Sequence, residues 1–390
     1  MFRVDALYIG FLIALMFIAV HLWHHKICSM KRGIIITICC LISSVHLFQS
    51  CKKDKDENEG EEEHRIFELF DVYFIGFEFD NENPMSYYYK NETAYPLRGE
   101  SDTRVIPSDI VVTSGDVYIV GSENEDDSFL YNPIRALLWK NGELQKLTTP
   151  ETTQEEATAV FVDGNDVYVA GSYVPVGGQK RVGVVWKNGD PVIVTDGKES
   201  TTFADLFVSG NDVYTVGHEN RQGGIVSKYW KNEKAVTLST EDVTTYAKSI
   251  AIDGADVYVL GYVDNLSTEG RSLKLWKNGK ADKLISGRSV IRGGKVAVEN
   301  GSVYACGYEQ VGSKYEPRLF KDGIMEPLED KNSGHTYAVD LKVHQGNTLL
   351  LGRVDSESAV ESILWFNGVP ANIGNIGAGM GFIAFDVVPR

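Results

Sequence analysis

The sequence is poor in what usually marks an enzyme. Its 390 residues hold five cysteines, and four of them, Cys28, Cys39, Cys40 and Cys51, fall within the first 51 positions. Only Cys306 is left for the rest of the chain, so no internal disulfide can brace it. There is no H-E-x-x-H, no G-x-S-x-G and no C-x-x-C pair, which removes the commonest metalloprotease, hydrolase and thiol-redox signatures. Beyond residue 63 histidine is down to His64, His218, His335 and His344. Basic charge is also scarce, 38 Lys and Arg against 54 Asp and Glu. Residues 1–50 carry a net +3, which leaves −19 on the remainder of a chain whose total is −16. A surface that acidic excludes a nucleic-acid partner, because displacing phosphate counterions takes clustered Lys and Arg. Apolar and aromatic residues are not scarce, at 43% and 11%, so bulk disorder is excluded too.

The long apolar runs are confined to the first fifty residues. Met30-Lys31-Arg32 followed by Gly33 to Leu47 has the form of a secretory signal, a basic start and a short apolar stretch. It ends in Phe48-Gln49-Ser50-Cys51. That end resembles a bacterial lipobox, which implies that Cys51 becomes the lipidated first residue; the alternative is an uncleaved membrane anchor. The earlier run, Tyr8 to Trp23, is marginal for roughly 30 Å of hydrocarbon and reads as an upstream extension of the true start or an extra transmembrane segment. Lys52 to Glu63 has no hydrophobic residue, so it is a solvated tether. The expected division is therefore 1–29 extension, 30–50 signal, 51–66 lipidated Cys and tether, and 67–390 the folded part.

The folded part is organised by a repeat. D-V-Y-x-x-G strands begin at Asp71, Asp116, Asp166, Asp212 and Asp256, and variants follow at Ser302 and Asn347. That makes seven copies at a mean spacing of 46 residues. Each is followed by a W-K-N-G-like segment, as at Trp139 to Gly142 and Trp186 to Gly189, and most are preceded by an apolar run and a Gly turn. Asn-Gly suits the positive φ angles of a type I′ hairpin. A period in the forties with about four strands per unit predicts a propeller blade. Five of the six Trp fall in one slot of the repeat, where Tyr89 and Phe320 substitute. Regular recurrence of this kind reads as packing between blades rather than a ring of ligand-stacking rings. Cys306 replaces Ala170 of the repeat and reads as a small buried hydrophobe. The first copy lacks a good preceding strand, and a spare one, Phe382 to Val388, follows the last. The C-terminal strand should therefore complete the first blade and close the ring.

The expected fold is all-β: a seven-bladed β-propeller of four-stranded antiparallel blades. With the lipobox, residues 71–390 resemble bacterial surface lipoproteins carrying D-V-Y-V-A-G/W-K-N-G repeats. The acid-rich tether also looks like the export tract of surface lipoproteins in some Gram-negative bacteria, implying an outer-membrane, cell-surface location. There is no Gly-His…Trp-Asp pair, no kelch Gly-Gly and no sialidase-type box, so no family activity carries over.

Function should sit where the longer connections gather, on the face opposite the short Gly turns. The residues just after each strand glycine are expected to point to that face: Phe77, Ser122, Ser172, His218, Tyr262, Tyr308 and Arg353. Unlike the packing positions, they differ from blade to blade. Nearby loops add Phe79, Phe129, Tyr131, Tyr173 and Tyr315, with acids Glu78, Asp80, Glu82, Glu123, Glu125, Asp126 and Asp127. Aromatic faces beside carboxylates suit a glycan, and Tyr with Arg suits a protein partner. Glu123 to Asp127 lacks the ordered spacing of a Ca²⁺ loop and reads first as a solvated acidic segment; no cofactor is expected, with Ca²⁺ at this cluster as the alternative. Three readings follow. The first is a lipid-anchored, non-enzymatic binding module whose ligand face includes Phe77, Tyr173, His218, Tyr262, Tyr308 and Arg353. The others are a glycoside hydrolase or lyase working at the channel mouth, and a scaffold subunit of an outer-membrane complex.

Overall fold

The computed structural model describes residues 66–390 apart from 79–84, 101–103, 125–132, 240–243, 266–269, 286–290, 331, 333, 358, 372, 374–375 and 377–379. The leader, Cys51 and most of the tether lie outside the described residues, as do Phe79, Asp80, Glu82, Glu125, Asp126, Asp127, Phe129 and Tyr131.

The described residues build seven four-stranded antiparallel sheets. Blade 3, counting by D-V-Y copy, is typical: Thr152–Asp163 is its inner strand, Asp166–Pro175 the D-V-Y strand, Val182–Lys187 the W-K-N-G strand and Asp190–Ile193 the outer one. Six blades take four consecutive strands; blade 1 pairs Phe70–Glu78 with the C-terminal strand Met380–Pro389. Inner strands touch one another in succession, and the C-terminal strand touches both the inner strand of blade 7 and that of blade 2. They therefore ring an axis, and the chain is a seven-bladed β-propeller closed by its last strand.

The repeated motif builds each hairpin the same way. At Asn188-Gly189 both residues have positive φ, 52° and 91°, as a type I′ turn requires. The Asn188 Oδ1 accepts the Val167 N–H at 2.8 Å while its Nδ2 donates to Asp166 at 2.8 Å. Lys187 reaches the other Asp166 oxygen at 2.8 Å and lies over the Tyr168 ring, 5.1 Å from its centroid. The same arrangement recurs at Asp116, Asp212 and Asp256 with their Asn and Lys partners. D-V-Y and K-N-G are therefore one structural lock rather than a ligand site.

The tryptophans pack as expected. Trp139, Trp186, Trp230, Trp276 and Trp365 are all buried, each among residues of its own blade and the one before. Trp186, for instance, lies with Tyr118, Val120 and Leu138 of blade 2. A blade has two apolar faces and can hide neither alone, which is why these clusters form at the blade boundaries. At the closure Phe74 stacks on Phe382 at 4.8 Å and on Phe385 at 6.2 Å.

Candidate functional site

The side chains of interest are positioned by an irregularity shared by the inner strands. Each slips its register opposite the glycine of the D-V-Y strand, between Phe203 and Asp205 and between Ala247 and Ser249, for example. The inner carbonyl thereby moves over the glycine. A Cβ built on Gly171 would lie 1.9 Å from the Glu156 oxygen, and one on Gly217 would lie 2.0 Å from that of Thr202. The glycine is there because nothing larger fits beneath the bulge.

Seven residues before the start of each later copy, the inner strands place Asp109, Ala159, Asp205, Ser249, Lys295 and Asp340 at equivalent positions. The acids clasp neighbouring blades. Asp109 accepts the Val160 N–H of blade 3 at 3.0 Å, and Asp340 accepts the Phe385 N–H of blade 1 at 3.1 Å. Asp205 accepts both the Ile250 N–H at 3.0 Å and the Ser249 hydroxyl at 2.9 Å from blade 5. Further along, Asp386 accepts the Val112 N–H at 2.7 Å. Lys295 of blade 6 spans past blade 5 to Asp205 at 3.1 Å. Burial pushes its ammonium pKa down, but Asp205, Asp109 and Asp340 together overrule that and hold it above the usual lysine value. Burial likewise raises Asp109 to about 6, against the pull of Lys295 and Lys342. Cys306, beside Lys295, is fully buried as its slot predicted, and burial pushes its thiol up to about 12, so it is inert at neutral pH. These axial groups are occupied with one another.

On the loop side of the bulge the inner and D-V-Y strands pair Gly381 with Phe77, Ile106 with Ser122, Glu156 with Ser172, and Thr202 with His218. Tyr246 with Tyr262, Arg292 with Tyr308 and Tyr337 with Arg353 complete the level. The expectation that the residue after each glycine faces the loops fails at two blades. Ser122 and Ser172 are fully buried, Ser122 accepting the Ala157 N–H and Ser172 receiving Arg181 at 3.2 Å. Glu123, read as part of a solvated loop, is a strand residue with no exposure, paired to Arg135 at 2.7 Å.

Four of the predicted face residues fall into two groups. At the boundary of blades 4 and 5, His218 meets Tyr246 edge-on at 5.8 Å, and Tyr246 stacks on Tyr262 at 4.8 Å. Burial, aided by Lys248, lowers the His218 pKa to about 4, so the ring is neutral at physiological pH. At the boundary of blades 6 and 7, Tyr308 meets Tyr337 at 4.9 Å and Tyr315 at 5.6 Å, with His335 5.3 Å from Tyr315. Arg353 lies over Tyr337 at 5.3 Å and is held by both oxygens of Asp355 at 2.8 and 2.6 Å. His218 and His335 thus belong to separate groups. Phe77 stands apart beneath Arg104, and Tyr173 packs against the core between blades 2 and 3. Tyr246 and Tyr337, which bind each group together, were not picked out by motif. Both lie ten residues ahead of a D-V-Y copy, as do Ile106, Glu156, Thr202 and Arg292, and that fixed offset was the available signal. Among the described residues no three His, Cys, Asp or Glu side chains converge as a metal site.

A scan against protein-family models finds no match, and a comparison with curated proteins finds none either. Similar solved structures include the computationally designed Ika8 protein, at 14% identity over 80% of this chain and 96% of that one, with a TM-score of 0.41. Another is Pyrococcus horikoshii acylaminoacyl peptidase, at 10% identity over 78% of this chain and 52% of that one, TM-score 0.47. A mutant of Trypanosoma rangeli sialidase displaying trans-sialidase activity matches at 11% identity over 75% of this chain and 56% of that one, TM-score 0.41. The chain therefore spans about half the length of the peptidase and sialidase chains.

Proposed function

We propose that the chain is a lipid-anchored, cell-surface binding module that holds glycans on the loop side of blades 4 to 7. The observation that carries this reading is the uneven distribution of one structural position. In blades 2 and 3 it holds buried serines, whereas in blades 4 to 7 it contributes to two half-buried aromatic groups. Half-buried rings keep a face for the C–H side of a sugar while their neighbours fix its tilt. The axial aspartates support binding over hydrolysis. Each is engaged by backbone N–H groups, and Asp205 by Lys295 as well, which is the opposite of a carboxylate pair awaiting a substrate. The anchor reading rests on Cys51 and its preceding signal, and the cell-surface reading on the acid-rich tether.

A glycan array probed with the full chain in detergent tests the proposal. Saccharide binding that weakens at least tenfold on Tyr262→Ala or Tyr308→Ala is expected. Binding indifferent to both changes, or no saccharide binding, would overturn it.

A further inference from the structure

The aromatic group of blades 6 and 7 holds more free hydrogen-bond donors than free acceptors. Arg353 donates to Asp355 through Nε at 2.8 Å and Nη2 at 2.6 Å, and its guanidinium lies over Tyr337. Its Nη1 has no partner among the described residues, which leaves two N–H donors beside the ring. His335 accepts the Tyr315 N–H at Nδ1, 3.2 Å away, so the imidazole proton sits on Nε2 as another free donor. Tyr308 stands nearly perpendicular to both Tyr337 and Tyr315, at 88° and 84°. The carboxylates that follow these residues in the chain are engaged. Asp355 holds Arg353 with both oxygens, and Glu309 and Glu316 each hold Arg318 at 2.9 Å.

The seam between these two blades also lacks a bond that its counterpart has. Between blades 4 and 5 the Thr245 hydroxyl accepts the Ser227 N–H at 3.2 Å. Thr336 is the equivalent of Thr245 in blade 7, each two positions before the alanine paired with its strand glycine. The blade 6 equivalent of Ser227 is Pro317, each paired with the residue after that glycine, His218 and Tyr308. Proline has no N–H to give. The Thr336 hydroxyl, flanked in the chain by His335 and Tyr337, is accordingly buried with no hydrogen-bond partner. A hydroxyl in that state is stabilised by whatever acceptor reaches it.

Donors set among tyrosine rings suit a ligand that carries an acceptor next to an apolar group. A carboxylate supplies the acceptor but brings a charge. Asp355 already cancels the charge of Arg353, and the chain as a whole carries −16, so an anion meets net repulsion. An acetamido carbonyl accepts the same N–H groups without that cost, and its methyl packs on an aromatic face. We infer that the blade 6–7 site takes an N-acetylated sugar. The carbonyl of its acetamido group meets Arg353 Nη1 and His335 Nε2, and the methyl meets Tyr308 and Tyr337. The inference rests on the glycan reading above and names its ligand class.

The test uses the full chain in detergent with three probes. Chitotetraose carries the acetamido groups, cellotetraose has the same backbone with hydroxyls in their place, and tetragalacturonate carries carboxylates. Chitotetraose should bind about tenfold more tightly than cellotetraose, with tetragalacturonate weakest. Arg353→Lys keeps a cation for Asp355 but loses the Nη1 donors, so it should shrink that preference to about twofold while cellotetraose binding holds. Its melting temperature, expected within about three degrees of the parent, separates binding from folding. Competition on the parent chain needs no variant: free N-acetylglucosamine should displace chitotetraose at concentrations where glucose does not. Equal binding of chitotetraose and cellotetraose, a preference for tetragalacturonate, a preference untouched by Arg353→Lys in a folded variant, or equal competition by glucose would overturn the inference and leave the glycan reading standing. No binding to any saccharide would overturn both.

Discussion

His218 shows what the surroundings of a single residue decide. Its ring is half-buried against Tyr246, and burial together with Lys248 lowers its pKa from the ordinary 6.5 to about 4. A histidine whose folded pKa is depressed contributes stability above its unfolded pKa and loses it as pH falls through the folded value. His218→Phe keeps the aromatic edge and removes the titration. The stability of the parent minus that of the variant should therefore fall by about 3 kcal/mol between pH 7 and pH 4. Asp109, raised to about 6, works in the opposite direction over part of this range, but it is common to both proteins and cancels in the difference. Urea titrations at stepped pH check this, and a difference that stays flat would mean that His218 is not held neutral. None of this was legible in the sequence, where His218 was only one polar residue after a glycine. Its environment comes from Tyr246 and Lys248, which a hairpin register and a bulge bring alongside.

At the scale of the hairpin the sequence was far more legible, because turn chemistry is local. Asn-Gly announced its own φ angles, and the alternating D-V-Y run announced its strand. The lock between them was missed, since it joins Asp and Asn about twenty residues apart through side chains. Its logic is visible in blade 6. There Asp322 takes the asparagine's place and still accepts the Val303 N–H at 2.9 Å, while Ser302 replaces the strand aspartate. Two facing carboxylates would repel, and the serine avoids that. Blade 7 solves the same problem with two amides, Asn367 donating to Asn347 at 2.9 Å. Ser302→Asp should therefore destabilise the protein by about 1 kcal/mol. Ser302→Asp/Asp322→Asn should recover that loss, because it recreates the lock of blades 2 to 5. A thermodynamic cycle over the four proteins measures the coupling, and additive effects would show that the two positions do not sense each other.

For the whole molecule, the number of blades could be counted from the sequence, but the site could not be assembled from it. Blade count is a matter of periodicity, and the spare strand at the C-terminus implied how the ring closes. Which side chains meet across a blade boundary depends on the angle and stagger between sheets, and no repeat spells that out. The same closure makes the strongest prediction about the fold. Met380–Pro389 supplies the inner strand of blade 1, stacks Phe382 and Phe385 on Phe74, and clasps blade 2 through Asp386. Arg390 adds a 2.6 Å pair to Asp71 at its end. Removing residues 380–390 would bare one edge of Phe70–Glu78 and leave the blade 7–1 boundary without its aromatic stack. An open sheet edge next to exposed phenylalanines invites association between chains. The truncated chain should lose its single cooperative melting transition and form soluble or insoluble oligomers. Grafting the same eleven residues through a flexible linker ahead of residue 66 should restore the transition, because the strand would then reach its slot from the other end of the chain. Scanning calorimetry with light scattering reads both changes. A truncated protein that melts like the parent as a monomer would mean that six complete blades and three strands hold the ring without the last strand, and that closure contributes little to the fold.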